Sequence, residues 1–341
     1  MRTLRQGLSI LLSACVTVAA AQGTGVPRSA SSCEDLAIPV DWSSMQKTAL
    51  SLRGAYANSQ FKQVGATFAC LDRSSRRFSG GEAASSAVYW TFRLKRPVIG
   101  PPDRLDQLAA SWLVEEPISM YAQFAQLRAR YDRAWAERGG NFASTTGRSK
   151  LDDFYSTLGD LDKRLRATSP QLKNTAIWSN LMLATLLDET QPSMDPVQVF
   201  EEGVRRWPTY FDHYEVMLSR LLPRWGGNWP SADAFIKAAA GQHAASEGDT
   251  LYARLYDTVF NQKYLPDETG VDKQRFEKSS REWMARFPSA EGLNRIASDA
   301  CLLENEKLFR DAYDRIPESD VKPVHWNYLA QRAPCVARFK R

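Results

Sequence analysis

Apolar residues recur every three to four positions along most of this chain, and that spacing suits an α-helix and little else. Tyr210, Phe211, Tyr214, Met217, Leu218, Leu221 and Leu222 fall at offsets 0, 1, 4, 7, 8, 11 and 12, all on one helical face. A strand would scatter them over both of its sides. Leu251, Tyr252, Leu255, Tyr256, Val259 and Phe260 repeat the pattern, as do Leu151, Phe154, Tyr155, Leu158, Leu161 and Leu165. Phe276, Trp283 and Phe287 mark another stripe. The best strand candidate, Val88 to Arg93, reads equally well as a helix that stops before Pro97.

The periodicity predicts fourteen helices between residues 44 and 315, among them 82–96, 172–188 and 303–315. They are punctuated at Pro117, Pro170, Pro208, Ser246-Glu247-Gly248-Asp249 and Pro288, with successive spacings that settle near 40. Two amphipathic helices per period of about 40 is the pattern of an α-solenoid. Trp112 and Trp283 each stand five residues before a proline, Pro117 and Pro288. A large residue closing one helix pair and a proline opening the next resembles degenerate tetratricopeptide-like repeats. The expected fold is therefore all-α, a right-handed solenoid of antiparallel helix pairs over residues 44–341.

Residues 1–21 carry the zones of a secretory signal: Arg2 and Arg5, an apolar stretch from Leu8 to Ala20, and Ala19-Ala20-Ala21 before Gln22. Residues 22–43 then read as an extended arm. Leu12-Ser13-Ala14-Cys15 also resembles a bacterial lipobox, which would make an acylated Cys15 the mature N-terminus and a membrane anchor. Export to the periplasm is expected either way. It leaves Cys33, Cys70, Cys301 and Cys335 where thiols oxidise. Four cysteines allow three connectivities, and one close pair near each end favours Cys33–Cys70 and Cys301–Cys335 over four free buried thiols.

Charge gives no support to one class of partner, and no nucleic acid is expected. Forty-four Lys and Arg against 39 Asp and Glu give +5, and without Arg2 and Arg5 the balance is 42 − 39 = +3. That is too small a surplus to argue for nucleic acid. Three histidines make a His-rich metal site unexpected, and nothing in the chain calls for a cofactor.

Two loops echo each other: Arg138-Gly139-Gly140-Asn141-Phe142 and Pro223-Arg224-Trp225-Gly226-Gly227-Asn228-Trp229, their glycine pairs close to two repeat periods apart. Paired glycines after a helix supply the left-handed φ of a C-cap, and Asn turns the chain into the next segment. Capping is one reading of these loops. The other is recognition, in which Arg138, Arg224, Trp225 and Trp229 meet a ligand, because Trp and Arg dominate interface hot spots and indole faces suit sugar rings.

Ala136-Glu137-Arg138-Gly139-Gly140, followed some ninety residues later by Leu222-Pro223-Arg224-Trp225-Gly226-Gly227, is similar to a bacterial family, domain of unknown function 4034. The resemblance spans about residues 45–260 and rests chiefly on the Pro-Arg-Trp-Gly-Gly segment. This chain has Asn228 where that pattern suggests a small hydroxyl residue. The resemblance implies a helical fold and no chemistry.

The chain also carries fragments of catalytic motifs. Ser44-x-x-Lys47 and Ser59-x-x-Lys62 match the nucleophile pattern of penicillin-recognising enzymes, without the Lys-Thr-Gly or Ser-Asp-Asn elements that go with it. His213, His243 and His325 form no recognisable triad. Glu115-Glu116 and Asp152-Asp153 offer carboxylates for glycoside cleavage, yet adjacent acids point to different faces of a helix. No catalytic residue is assigned. The expectation is an exported helical-repeat protein that binds a protein or peptide partner, or serves as a scaffold, in the bacterial cell envelope. The alternatives are a cell-wall carbohydrate-binding module and, behind it, a cell-wall hydrolase.

Overall fold

The computed structural model describes residues 33–93, 102–140, 145–321, 326–327 and 330–339. The signal segment with Cys15, the arm up to residue 32, Asn141, Phe142 and His325 lie outside the described residues. From Met45 onward the described chain is mostly helical, and the only β pairing among the described residues is an isolated bridge between Arg77 and Ala83. The first helices are α1 Met45–Ala57, α2 Phe61–Arg73, α3 Ser86–Arg93, α4 Pro102–Glu115, α5 Met120–Arg138 and α6 Arg148–Arg166. Next come α7 Pro170–Lys173, α8 Ala176–Asp188, α9 Pro196–Arg206, α10 Asp212–Leu221, α11 Trp229–Glu247 and α12 Thr250–Asn261. The chain closes with α13 Pro266–Thr269, α14 Lys273–Arg286, α15 Ala290–Leu302, α16 Glu306–Tyr313 and α17 Arg332–Phe339.

Local chemistry sets the helix starts. Ser44, Ser119, Thr175, Asp195, Asn228, Asp272, Ser289 and Asn305 each accept a hydrogen bond from a backbone N–H two or three residues on. Pro170 and Pro196 open their helices, where a missing N–H costs nothing. The two tryptophan-to-proline intervals belong to this punctuation. Trp112 and Trp283 are enclosed at 0% and 2% exposure, and Pro117 and Pro288 come just before the caps Ser119 and Ser289.

Three predicted elements change. The helix expected at 82–96 begins only at Ser86, because Arg77–Ala83 forms a tight turn with Gly81 at φ +89°. The helix expected at 172–188 is split where Thr175 leaves the helical conformation to cap Trp178. The helix expected at 303–315 is confined to Glu306–Tyr313, opened by the Asn305 cap. Helix α17 was not anticipated; its Pro334 lies in the first turn, where the N–H has no helical partner anyway. Val88 to Arg93, the strand candidate, is helical.

Successive helices pack on one another and on the next but one: α8 on α9 and α10, α10 on α11 and α12, α12 on α14 and α15. The stripes read from sequence supply that core. All seven residues of the Tyr210–Leu222 set and all six of the Leu251–Phe260 set are buried. Toward the N-terminus Trp112 stacks on Phe61 at 5.5 Å between centroids, with Tyr56 at 5.7 Å and Phe68 at 6.1 Å.

The described part of the arm, residues 33–43, runs through bends and a turn and lies against α2. Ile38, Val40 and Trp42 are buried, Thr67 Oγ1 donates to the Ile38 carbonyl at 3.2 Å, and a Cys33–Cys70 disulfide joins the two. A second disulfide, Cys301–Cys335, ties α17 to α15. Both pairings are those expected from the sequence, and they fit an exported protein in an oxidising compartment. The turn at Arg77–Ala83 reaches across the array. Arg77 Nη1 donates to Glu247 Oε1 of α11 at 2.7 Å, and Arg254 Nη2 of α12 donates to the Gly80 carbonyl at 2.8 Å.

Candidate functional site

The two glycine-paired loops are brought together by the fold. Helix α5 ends where Gly139 takes φ +81° and returns its N–H to the Trp135 carbonyl at 3.0 Å. Helix α10 ends at Leu221, after which Pro223–Trp225 makes a single 3-10 turn closed by Gly226 in the left-handed conformation, φ +88°. Asn228 then caps α11, its side chain accepting from the Ser231 N–H at 2.9 Å. Capping is therefore present at both loops, as one reading required. The loops also touch: Arg224 Nη2 donates to the Gly140 carbonyl at 3.1 Å.

Around that contact aromatic rings and guanidinium groups alternate. Trp225 meets Trp135 edge to face at 5.6 Å. The Arg138 guanidinium lies 4.9 Å from the Trp135 ring, 5.5 Å from Phe154 and 5.9 Å from Trp225. Arg220 approaches Trp225 at 4.9 Å and Arg224 does so at 5.8 Å. Each such contact is worth about 0.5–2 kcal/mol, more where water is excluded.

One carboxylate anchors the inner side. Asp188, at the end of α8, accepts from Tyr131 Oη at 2.7 Å and Trp135 Nε1 at 2.9 Å, and pairs with Arg220. Burial lowers the pKa of the Arg220 guanidinium, and nearby Arg138 pushes it the same way. Three arginines thus share this cluster with one buried carboxylate.

Of the four residues singled out from sequence, Arg138, Arg224 and Trp225 meet in this cluster. Arg138 is buried, Trp225 is half-buried and Arg224 is exposed. Trp229 is also half-buried but packs edge-on against Tyr264 at 4.7 Å, while Tyr264 Oη accepts from the Arg224 backbone N–H. Trp135, Asp188, Arg220 and Tyr264 complete the cluster beyond the residues the sequence marks. Trp135 stands one helical turn before Arg138, a spacing visible in the sequence; Asp188 carries no local signal.

Several of the catalytic candidates make local structural contacts. Ser44 of the first Ser-x-x-Lys pair caps α1, accepting from the Lys47 N–H at 3.1 Å, and Ser59 sits in a turn at φ +57°. His213 is fully enclosed with Nε2 3.1 Å from Ser179 Oγ, and burial pushes its pKa down to about 4. His243 Nε2 lies 2.7 Å from Tyr214 Oη. Glu116 accepts from Trp112 Nε1 at 2.8 Å, whereas Asp152 and Asp153 are exposed on α6. Among the described residues no group of three His, Cys, Asp or Glu side chains is arranged to hold a metal ion. Comparison of the chain with family models, with curated proteins and with solved structures finds no match.

Proposed function

We propose that this is a binding protein of the bacterial cell envelope, a protein–protein interaction or scaffold module whose contact surface is the loop pair around Trp225. The observation that carries this reading is the convergence of two loops from distant parts of the chain on one half-exposed tryptophan flanked by arginines. Trp and Arg set at the rim of a rigid helical array lose little conformational freedom on binding, as hot-spot residues should. Peptide and protein partners suit such an array when it winds as a right-handed solenoid. Residence in the periplasm, free or anchored through Cys15, belongs to the same proposal, as does membership in the family of domain of unknown function 4034. No catalytic role and no cofactor are included.

A second reading, a cell-wall glycan as ligand, is favoured by the half-buried Trp229 against Tyr264, an aromatic edge of the kind sugar rings stack upon. Crosslinking in the intact envelope followed by capture tests both. The Arg224→Ala, Trp225→Ala, Trp229→Ala variant, folded by circular dichroism, is expected to lose its crosslinked protein partner. Undiminished capture by that variant would remove this surface as the contact site. Retention of the parent on isolated sacculi, lost in the same variant, would favour the glycan.

A further inference from the structure

The two disulfides differ in what surrounds them. Cys33 and Cys70 are each 4% exposed, shut between the arm and α2. Cys301–Cys335 instead faces an open groove of about 510 Å³, lined by both cysteines with Leu302, Glu304, Gln331 and Arg338 among their neighbours. Small-molecule sites run to about 300–1,000 Å³, so the groove has room for the tip of a polypeptide loop. Cys301 is half-buried there, whereas Cys335 is enclosed at 2% exposure. Thiol–disulfide exchange needs a path for the attacking thiolate, and the path offered here leads to Cys301.

Helix position sets which sulfur would leave. Cys301 stands in the last turn of α15, at the negative end of that helix, and Cys335 in the first turn of α17, at the positive end. A thiolate is stabilised at a helix N-terminus and disfavoured at a C-terminus, so Cys335 is the better leaving group. Arg338, in the same groove, is already paired with Glu304 at 2.9 Å and adds little net charge. Access and leaving-group quality therefore agree on one direction of exchange.

Helix α17 is also lightly held. Its buried residues are Cys335 and Phe339, while Arg332, Ala333, Pro334, Ala337 and Arg338 are exposed. Phe339 rests on Phe309 at 5.2 Å between centroids, and Arg332 reaches Tyr313 Oη. Opening the chain there is a local event that leaves the helices before it in place.

We propose that Cys301–Cys335 is a thiol–disulfide exchange site whose substrate is a protein dithiol entering the groove, and that exchange releases α17. The incoming thiolate forms a bond to Cys301 Sγ as the Cys301–Cys335 bond breaks, and the electron pair leaves on Cys335 Sγ, which takes a proton from water. The second thiol of the partner, deprotonated, then attacks its own sulfur in the mixed disulfide and expels Cys301 as a thiolate, which is protonated in turn. The protein disulfide is reduced by two electrons and the dithiol is oxidised to a disulfide. None of these residues belongs to the loop pair, so the site stands whether or not that surface binds a partner.

The test treats the mature protein, both disulfides formed and no denaturant present, with reduced thioredoxin as the protein dithiol. Free thiols are then mapped by alkylation and mass spectrometry. Cys301 and Cys335 should be alkylated at least about tenfold faster than Cys33 and Cys70. Thioredoxin lacking its resolving cysteine should be trapped as a mixed disulfide on Cys301. Amide exchange in residues 332–339 should quicken on reduction while α10 and α12 stay protected. Equal rates at the two disulfides, trapping on Cys335, or loss of protection that spreads to α10 and α12 would overturn the proposal. So would reduction by dithiothreitol with thioredoxin inert, since the groove would then admit a small thiol and no protein.

Discussion

Arg224 hydrogen-bonds through Nη2 to the carbonyl oxygen of Gly140 at 3.1 Å, fastening together two loops that lie 84 residues apart in the chain. The bond is exposed, so it adds little to stability. Its consequence is positional: it holds the loop carrying Trp225 against the end of the helix carrying Trp135 and Arg138. Capping and recognition are thus divided among neighbouring residues, with Gly226 and Asn228 shaping the backbone while Arg224 and Trp225 face outward.

The two glycines after Trp225 should respond differently to substitution. Gly226 is at φ +88° with open space where a Cβ would go, so Gly226→Ala meets only the left-handed backbone penalty, about 1–2 kcal/mol. At Gly227 a Cβ would fall 1.9 Å from the Leu221 carbonyl oxygen, and the backbone itself must move. Gly227→Ala is expected to lower the urea midpoint more than Gly226→Ala. The reverse order would contradict the loop geometry.

Trp225 and Trp112 offer a graded comparison. Trp112 is fully enclosed, and Trp112→Ala should cost about 3–5 kcal/mol. Trp225 is half-buried on Trp135, so Trp225→Ala should cost clearly less, about 1–2 kcal/mol. Arg224→Ala should stay within about 0.5 kcal/mol of the parent. Denaturant titration checks all three, and a Trp225→Ala loss as large as that at Trp112 would make Trp225 a core residue.

The helices were legible in the sequence because the signals that make them are local: a 3.6-residue apolar stripe and a Ser, Thr, Asp or Asn at the start. Where a local signal pointed two ways, as at Val88–Arg93, packing decided. Helix α17 escaped notice because eight residues interrupted by Pro334 hold too few turns to show a period. At the candidate site the repeated Gly-Gly marked both loops, and Trp and Arg marked the side chains. Their meeting was not legible, since the Asp188–Arg220 and Arg224–Gly140 contacts depend on how α5, α8 and α10 pack.

Each disulfide should protect a different end. Replacing Cys301 and Cys335 by Ser frees α17, which is held otherwise by short contacts such as Arg332 to Tyr313 Oη at 2.8 Å. Amide exchange in residues 332–339 should accelerate while α10 and α12 stay protected. Replacing Cys33 and Cys70 should loosen residues 33–43 instead. Each change should cost about 2–4 kcal/mol by removing a constraint on the unfolded chain. Uniform loss of protection throughout the chain would mean the staples are not local.

The proposed export makes a prediction about the mature chain. Mass spectrometry of protein from the native host should find an N-terminus at or near Gln22. An acylated N-terminal Cys15 would replace cleavage with anchoring, and an intact Met1 would contradict export.

Two groups whose pKa values burial shifts should give opposite pH signatures in the same window. Burial pushes the Glu291 carboxyl up to about 7, with Arg295 pulling the other way, and drives the His213 imidazole down to about 4. Glu291 is protonated more readily in the folded state, so its contribution is complete below its unfolded pKa near 4.5 and is lost as pH rises toward 7. His213 is protonated more readily in the unfolded state, so its contribution is complete above 6.5 and is lost as pH falls toward 4. Asp299 acts in the sense of Glu291, because burial and the adjacent Asp257 hold its carboxyl well above the usual range. Subtracting the parent from each variant cancels the titrating groups that do not interact with the one replaced. The stability of Glu291→Gln relative to the parent should therefore climb between pH 4.5 and 7, by at most about 1.4 kcal/mol per pH unit. That of His213→Gln should climb in the other direction, as pH falls from 6.5 to 4. Denaturation measured across that range for both variants is the check, and difference curves of the same slope would show that at least one of these groups is not enclosed as described.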